Sequence, residues 1–173
     1  SDGYFRSLSR NIIGQQLSGK AAASIYQKFI NIIGSPKYTP KHIADITHDK
    51  LRSAGLSNAK ANYVRGLSEA MINKTLQLDK IDEMADKEVI SHLTQIKGIG
   101  EWTAEMFLMF TLQRPDIFSH KDLGLKKGLA KVYEFDINEI NEDLMNKITD
   151  LWRPYRTYGS IALWESLEDK PNP

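Results

Sequence analysis

Residues 93–104, LTQIKGIGEWTA, decide the fold of this chain. Within them, Gly98 and Gly100 stand between the apolar end of one predicted helix and the start of another. Glycines at such a point permit a tight hairpin, and the first amide groups of the next helix have no partner inside that helix. Amide groups at a helix N-terminus bind phosphate readily. The stretch therefore predicts two helices joined by a hairpin that can bind a phosphate group.

A second stretch, residues 116–123 with the sequence DIFSHKDL, brings a carboxylate soon after the hairpin. Ser119 and Asp122 match the Ser-x-x-Asp form of a capping box, which predicts a helix over residues 120–133. A fixed carboxylate is also a candidate catalytic group, because it can stabilise positive charge that develops on a substrate. The two interpretations of Asp122 are compatible, and both stay open.

Composition limits the possible classes of protein. The 173 residues suffice for one domain with a substantial core, and they include no cysteine, which excludes disulfides, thiolate zinc sites and iron–sulfur clusters. We predict no metal site formed by side chains. A net charge of +1 does not by itself indicate a nucleic-acid-binding protein. Lys121, Lys126, Lys127 and Lys131 nevertheless surround Asp122, either as a DNA-facing surface or as a solvated helix face.

The sequence contains no apolar run as long as a membrane span, and it does not open with a signal-peptide pattern. We therefore expect no membrane partner and an intracellular location. That location would be the cytoplasm or nucleoid in a prokaryote and the nucleus in a eukaryote.

Helical signals dominate the chain, so we predict an all-α fold of about nine or ten helices. Ser18 and Ser57 are placed to cap helix starts, and Gly34 to end a helix. After an N-terminal helix, the predicted helices cover residues 19–33, 40–46, 48–54, 58–73, 85–96, 101–112, 120–133, 141–152 and 157–167. The helix over residues 101–112 is almost entirely apolar, so we expect it at the centre of the molecule.

Two further motifs accompany the hairpin, namely NIIGQQLS at residues 11–18 and WRPYR at residues 152–156. Together with the hairpin and Asp122, they resemble the helix-hairpin-helix (HhH-GPD) superfamily of base-excision DNA glycosylases, and within it the 3-methyladenine DNA glycosylase II branch. The resemblance extends from about residue 4 to about residue 167. One Gly-x-Gly turn would be a weak signal, whereas three separated motifs of one family are a strong one.

The resemblance implies a single glycosylase unit over residues 1–173, built as two helical lobes with an active cleft between them. We expect one lobe to comprise residues 18–115 and the other residues 1–17 with 116–173, the family's N-terminal helical segment being missing or trimmed. The implied activity is hydrolysis of the N-glycosidic bond of alkylated purines, such as 3-methyladenine and 7-methylguanine, flipped out of double-stranded DNA. We expect a monomer.

The resemblance also assigns DNA contacts. The expected contacts to the DNA backbone are Lys97, Gly98, Ile99, Gly100 and Lys121. Gln16 would enter the minor groove as a wedge that fills the gap left by the flipped nucleotide, and Gln15 would touch the neighbouring base or its partner. Leu17 is an alternative wedge, because intercalating side chains are more often apolar, and it is also a candidate core residue.

The expected base pocket consists of Trp102, Trp164 and Tyr155, whose rings would stack on a positively charged alkylated base. Each tryptophan has the simpler alternative of packing in the core. Asp122 would be the catalytic carboxylate, which stabilises oxocarbenium character on the sugar and orients the attacking water. Relatives that also cleave the strand carry a lysine at the position of Trp102, so the resemblance implies an enzyme without lyase activity. It implies no cofactor, although a monovalent cation can bind at the hairpin carbonyl groups of relatives.

Two residues depart from the family pattern: Met106, where a relative has tyrosine, and His120, where a small residue or proline is frequent. These departures leave open which base is preferred and whether His120 contacts DNA. The alternative function is a non-enzymatic protein of the same fold that binds damaged or abasic DNA. A protein-interaction domain is a further alternative, but it would have no use for the glutamine loop or the WRPYR motif.

Overall fold

The computed structural model describes residues 2–167, which form ten α-helices and two short 3₁₀ helices without a β-strand. The α-helices are α1 (Asp2–Gly14), α2 (Gly19–Ile33), α3 (Pro40–Ala44), α4 (His48–Ser53), α5 (Asn58–Ile72), α6 (Asp86–Thr94), α7 (Glu101–Phe110), α8 (Leu123–Tyr133), α9 (Glu142–Thr149) and α10 (Arg156–Leu167). The 3₁₀ helices are Ile81–Glu83 and Asp150–Trp152. This confirms the predicted all-α class. Between residues 2 and 167, no helix combines the length and the apolar character needed to cross a bilayer.

Local capping interactions set several of these helix bounds. The Ser18 hydroxyl accepts the Ala21 N–H at 3.4 Å at the start of α2, and the Ser57 hydroxyl accepts the Lys60 N–H at 3.2 Å at the start of α5. Gly34 ends α2 in a left-handed conformation with φ 81°. The predicted caps at these three positions are therefore confirmed, and each satisfies a backbone group that a helix end leaves without a partner.

The helices form two compact units, one through Phe107 and the other from Leu108 onward. In the first unit, α1 packs against α2 and α5, and α3 packs against α5. Phe5 and Leu8 of α1 are fully buried there, and the Phe5 ring meets Tyr38 edge-on with 5.8 Å between centroids. Because its apolar face is buried in the first unit, α1 lies with residues 18–107. This division differs from the expected grouping of residues 1–17 with 116–173.

In the second unit, α8 packs closely on α10. The absence of a side chain at Gly128 permits this approach, since a Cβ there would lie 2.8 Å from the Leu163 Cβ. The core of this unit consists of Phe118, Leu125, Leu129, Ile140, Met145, Ile148 and Leu163. Trp152 is partly buried against that core and packs edge-on with Phe118, with 6.3 Å between ring centroids.

The start of α8 differs from the prediction. The helix begins at Leu123 rather than at His120, because Asp122 is itself the N-cap and its backbone is extended, with φ −76° and ψ 117°. In the preceding turn, the Asp122 N–H donates to the Ser119 carbonyl at 3.2 Å. The predicted capping box, in which Asp122 would lie inside the helix, is therefore wrong in register.

The end and the burial of α7 also differ from the prediction. The helix stops at Phe110. Just after it, Gln113 adopts a left-handed φ of 55°, and the Arg114 N–H donates to the Leu108 carbonyl at 2.9 Å. This bonding pattern satisfies a carbonyl of the last turn and turns the chain away. Most of α7 is buried as expected, but Trp102 and Phe110 are 46% and 56% exposed.

Candidate nucleic-acid interface and active site

The hairpin lies between α6 and α7, in residues 95–100. The Ile99 N–H donates to the Ile96 carbonyl at 3.0 Å, and both isoleucine side chains are buried. Lys97 and Gly100 are exposed on the same turn. The two buried isoleucines therefore fix the turn to the protein while its tip faces solvent, as a phosphate-binding turn requires.

The two glycines of the hairpin meet different surroundings, and each is suited to its position for a different structural reason. Gly98 has a φ of +96°, and a Cβ at this position would lie only 2.4 Å from Cγ of Tyr63 on α5. Gly98 is therefore required by the fold, because a side chain would meet both strain and overlap. A Cβ at Gly100 would meet nothing within 4 Å. The space in front of the first turn of α7 is thus open at Gly100.

Residues 15–18, which follow α1, form a loop that we call the wedge loop. Gln16 is exposed and has a left-handed φ of 58°, which is uncommon for a residue other than glycine. Leu17 is 37% exposed, so it is not a core leucine. Both candidate wedge side chains therefore reach solvent, and the choice between them stays a prediction.

Gln15 points into the protein and joins the wedge loop to the hairpin. Its Nε2 atom donates to the Gly98 carbonyl at 2.9 Å and to the Thr103 hydroxyl at 3.3 Å. The sequence did not indicate this link, because the bonded residues lie 83 and 88 positions apart. Gln15 holds the two predicted DNA-contacting segments together, whereas we expected it to touch a base.

Two concave surfaces adjoin the wedge loop within the first unit. One has a volume of about 410 Å³ and is lined by the wedge loop together with Asn11, Trp102 and Met106. The other, of about 560 Å³, is lined by the wedge loop, the hairpin and Tyr63. Trp102 borders both surfaces, so the structure brings it together with Gln15 and Gln16. The sequence analysis assigned no role to Asn11, although it begins the NIIGQQLS motif, and it did not single out Tyr63. The positions of both residues depend on helix packing.

In the second unit, Asp122 is held at the N-terminus of α8 by two donors. Its Oδ1 atom accepts the Leu125 N–H at 2.8 Å and the Trp164 indole N–H at 3.0 Å. Gly124 makes room for this contact, since a Cβ there would lie 2.9 Å from the indole nitrogen. The structure thus joins two predicted site residues, Asp122 and Trp164, which are 42 positions apart. The carboxylate lies where the helix dipole favours negative charge.

The segment that leads to Asp122 is fixed by one face of α10. The Thr157 hydroxyl donates to the Arg114 carbonyl at 2.6 Å and accepts the Ile117 N–H at 2.9 Å. The single proton of the Ser160 hydroxyl is shared between the Ile117 carbonyl at 3.2 Å and the Arg156 carbonyl of its own helix at 2.9 Å. With Trp164, these residues form a row along α10 that determines where the carboxylate stands.

Asp116 anchors the same segment through ion pairs with Arg156 at 2.7 Å and Arg153 at 3.1 Å. Burial acts to raise the pKa of Asp116, but the hydrogen bonds from Arg156 and the charges of both arginines outweigh it. The pKa of this carboxyl is therefore lowered. Asp116 is thus a carboxylate that two arginines neutralise, and it anchors the segment that leads to Asp122.

Two of the remaining candidate residues, Tyr155 and Lys121, lie at the surface, whereas His120 does not. Tyr155 is 61% exposed and adjoins Tyr158, with 6.2 Å between ring centroids. Lys121 is exposed beside Asp122. His120 is partly buried, and its Nε2 atom forms a hydrogen bond of 2.7 Å with Oδ1 of Asn146. The described contacts thus place His120 within the second unit as a link to α9.

Comparison with known proteins assigns the chain to a family. The family model described as HhH-GPD superfamily base excision DNA repair protein matches residues 10–154. DNA-3-methyladenine glycosylase 1 of Schizosaccharomyces pombe is 30% identical over 164 residues, which cover 94% of this chain and 72% of that protein. YfjP of Bacillus subtilis, provisionally named a DNA-3-methyladenine glycosylase, is 32% identical over 95% of this chain, but the chain spans only 59% of its length.

Solved structures agree with the fold. A crystal structure of DNA-3-methyladenine glycosidase from Bacillus halodurans matches with a TM-score of 0.84 and 36% identity, covering 94% of this chain and 75% of that one. The S. pombe 3-methyladenine DNA glycosylase Mag1, in complex with abasic DNA, matches with a TM-score of 0.81 and 30% identity, covering 98% and 84%. Fold and hairpin define a helix-hairpin-helix protein. The chain belongs to the HhH-GPD superfamily of base excision DNA repair proteins.

Proposed function

We propose that the protein is a DNA glycosylase of base-excision repair that removes alkylated purines from double-stranded DNA by hydrolysis. The observation that carries this proposal is the Asp122 carboxylate, held at the start of α8 by the Leu125 amide and the Trp164 indole. The names of the similar proteins support it, since the relatives described above from S. pombe and Bacillus halodurans are named for 3-methyladenine. Those names are the reason for choosing alkylated purines as the substrate class.

In the proposed reaction, the bond between C1′ of the sugar and the base nitrogen breaks, and its electron pair leaves with the base. Asp122 stabilises the positive charge that develops on the sugar, and it accepts a proton from the water that adds to C1′. An alkylated purine already carries positive charge and leaves easily, so no second catalytic carboxylate is needed. Because Trp102 stands where lyase relatives carry lysine, we propose water as the only nucleophile and no strand cleavage.

The flipped base requires a pocket, and the backbone requires anchors. We propose that Trp102, Trp164 and Tyr155 contact the base, since aromatic faces attract a cationic ring by about 0.5–2 kcal/mol per contact. Lys97 and the hairpin amides bind the phosphate, with Lys121 as a second basic contact. Gln16 fills the emptied position in the stack. The exposure of Gln16, Lys97 and Lys121 supports these roles.

A monovalent cation at the hairpin carbonyl groups stays a prediction. The Gly98 carbonyl accepts the Gln15 amide, and the Gly100 carbonyl accepts the Ala104 N–H at 3.0 Å. A carbonyl oxygen has a second lone pair, so these groups fit such an ion. When bound, the ion would add positive charge beside the phosphate.

The test is to incubate the protein with methylated duplex DNA and to identify the released bases by chromatography. We expect free 3-methyladenine or 7-methylguanine, and we expect no protein–DNA adduct when borohydride is added during the reaction. Binding without base release would contradict the proposal and favour a non-enzymatic protein that recognises damaged DNA. A trapped adduct on Lys121, or on any other lysine, would contradict hydrolysis by water alone.

A further inference from the structure

Lys60 on α5 forms hydrogen bonds with the backbone of the wedge loop and of the helix end that precedes it. Its Nζ atom donates to the Ile13 carbonyl at 2.8 Å and to the Gln15 carbonyl at 2.6 Å. These carbonyls lie at the end of α1 and at the first position of the wedge loop. Two of the three N–H groups of this ammonium are therefore directed at backbone oxygens of the protein.

The end of α1 requires such a partner. The last turn of a helix leaves carbonyl groups without intrahelical donors and has a partial negative charge, which a cation stabilises. The last turn of α1 contains no basic residue of its own. Lys60 supplies the missing cation from another helix, 47 positions along the chain from Ile13.

The hairpin is supported by the same helix. Tyr63 stands three positions after Lys60 on α5, and its ring lies directly against the backbone of Gly98. Residues three apart share one face of a helix. That face of α5 therefore contacts the wedge loop through Lys60 and the hairpin through Tyr63, while Gln15 joins the two segments directly.

We infer that Lys60 is a positioning residue that holds the wedge loop at a fixed place relative to the phosphate-binding hairpin. This inference rests on the proposed function, because it presupposes that the loop enters the DNA stack. A phosphate bound at the hairpin fixes where the duplex lies, and Lys60 then determines where Gln16 or Leu17 meets that duplex. The strained φ of 58° at Gln16 is maintained by this anchoring of the residue before it.

The competing explanation is that Lys60 binds a DNA phosphate, and the hydrogen bonds of Lys60 argue against such a contact. Turning the ammonium toward DNA would remove the donors of two carbonyl groups at once. Lys60 is also only partly exposed, and burial lowers its pKa. Lys97, which is exposed on the hairpin, is the expected phosphate contact for comparison.

The test compares Lys60→Met with Lys28→Met, a matched change at an exposed lysine of α2. Both variants are bound to a duplex that carries 2-aminopurine beside a stable abasic-site analogue, so that the fluorescence change at saturation reports entry of the loop into the stack without any chemistry. We expect this change to fall by roughly half or more in Lys60→Met and to stay at the parental value in Lys28→Met. Lys60→Arg, which keeps the cation and its donors, should recover part of it.

A second measurement separates positioning from charge. The salt dependence of binding to undamaged duplex should keep its parental slope in Lys60→Met, whereas Lys97→Ala should reduce that slope by roughly one unit. A slope reduced by about one unit in Lys60→Met would identify a phosphate contact and overturn the inference, as would a parental fluorescence change. If Lys60→Met does not fold, Lys60→Gln is measured in the same way. Failure of the parent protein to release any base would contradict the proposed function alone.

Discussion

At the scale of single residues, the hairpin and the carboxylate site each depend on a glycine that permits a close approach. Gly98 lies against the ring of Tyr63, and Gly124 lies against the indole of Trp164. Gly100 has no such neighbour. A glycine with crowded surroundings serves the fold, whereas a glycine that opens onto free space leaves room for a ligand backbone.

This difference gives a prediction for the two hairpin glycines. Gly98→Ala should lower the free energy of unfolding by roughly 1–3 kcal/mol, because the new methyl group meets Tyr63 at an unfavourable φ. Gly100→Val should instead leave a folded protein that binds damaged and undamaged duplexes more weakly and to a similar extent, since phosphate contacts do not read sequence. Thermal melting and binding titrations measure the two effects. Unchanged DNA affinity in folded Gly100→Val would remove this turn from the interface.

A second prediction concerns the indole N–H that reaches Asp122. Trp164→Phe keeps an aromatic ring but removes the donor, so the single-turnover rate of base release should fall roughly tenfold while DNA affinity changes little. Trp152→Phe is the matched control, because Trp152 packs against the core of the second unit. The control should lose some stability and keep the parental rate. Equal rates for Trp164→Phe and the parent would mean that the indole does not position the carboxylate.

At the scale of secondary-structure elements, two helices organise the candidate site. In the first unit, α5 supports the wedge loop and the hairpin through Lys60 and Tyr63. In the second unit, α10 fixes the segment before Asp122 through Thr157, Ser160 and Trp164. The loops that carry the predicted functional groups are therefore held by regular elements, as precise positioning requires.

The wedge loop gives a prediction in which unfolding is not a competing explanation. Gln16 has a positive φ, so Gln16→Gly should keep or slightly raise the melting temperature. The same variant should excise a lesion from duplex DNA roughly tenfold more slowly, with a smaller effect on a single strand, because flipping out of a duplex needs a wedge. Leu17→Ala is measured in parallel. If Leu17→Ala has the larger duplex-specific defect, Leu17 is the wedge.

The ion pairs of Asp116 predict a pH dependence of stability. The folded-state pKa of this carboxyl is lowered, so its contribution is fully present above the unfolded-state pKa of about 3.9 and is lost as pH falls through the folded value. Asp116→Asn should lower the free energy of unfolding by about 1–3 kcal/mol at neutral pH. The difference from the parent should shrink below about pH 4. Denaturant titrations across this range measure it, and a difference that is independent of pH would contradict the role of the ion pairs.

At the scale of the whole molecule, the features that could be predicted from the sequence are those that depend on contacts between residues close together in the chain. The all-α class, the caps at Ser18 and Ser57 and the hairpin follow from local spacing, because each involves contacts within a few positions. The family could be predicted for the same reason, since its motifs are short, and the match to the family model over residues 10–154 confirms it. The start of α8 was misplaced by three residues, because Ser119 and Asp122 satisfy two capping patterns and only the backbone conformation distinguishes them.

Contacts between distant positions could not be predicted in this way. Trp164 reaches Asp122 across 42 positions, and Lys60 reaches Gln15 across 45. Periodicity assigns a side chain to a face of a helix but does not identify the loop that packs on that face. The candidate aromatic and carboxylate residues could therefore be predicted from the sequence. The residues that hold these groups or their loops in place could be identified only from the structure, and they include Lys60, Tyr63 and Thr157.

The central claim is that Asp122 acts in the chemistry as well as capping α8. Asp122→Asn tests it most directly, because asparagine is an equally good N-cap and its oxygen can still accept the Leu125 and Trp164 donors. Single-turnover release of an alkylated base and thermal melting are measured on the same preparation. The claim predicts a melting temperature close to the parental value with a rate lower by roughly 10²-fold or more, since only the charge is removed. A well-folded variant that releases the base at the parental rate would contradict it.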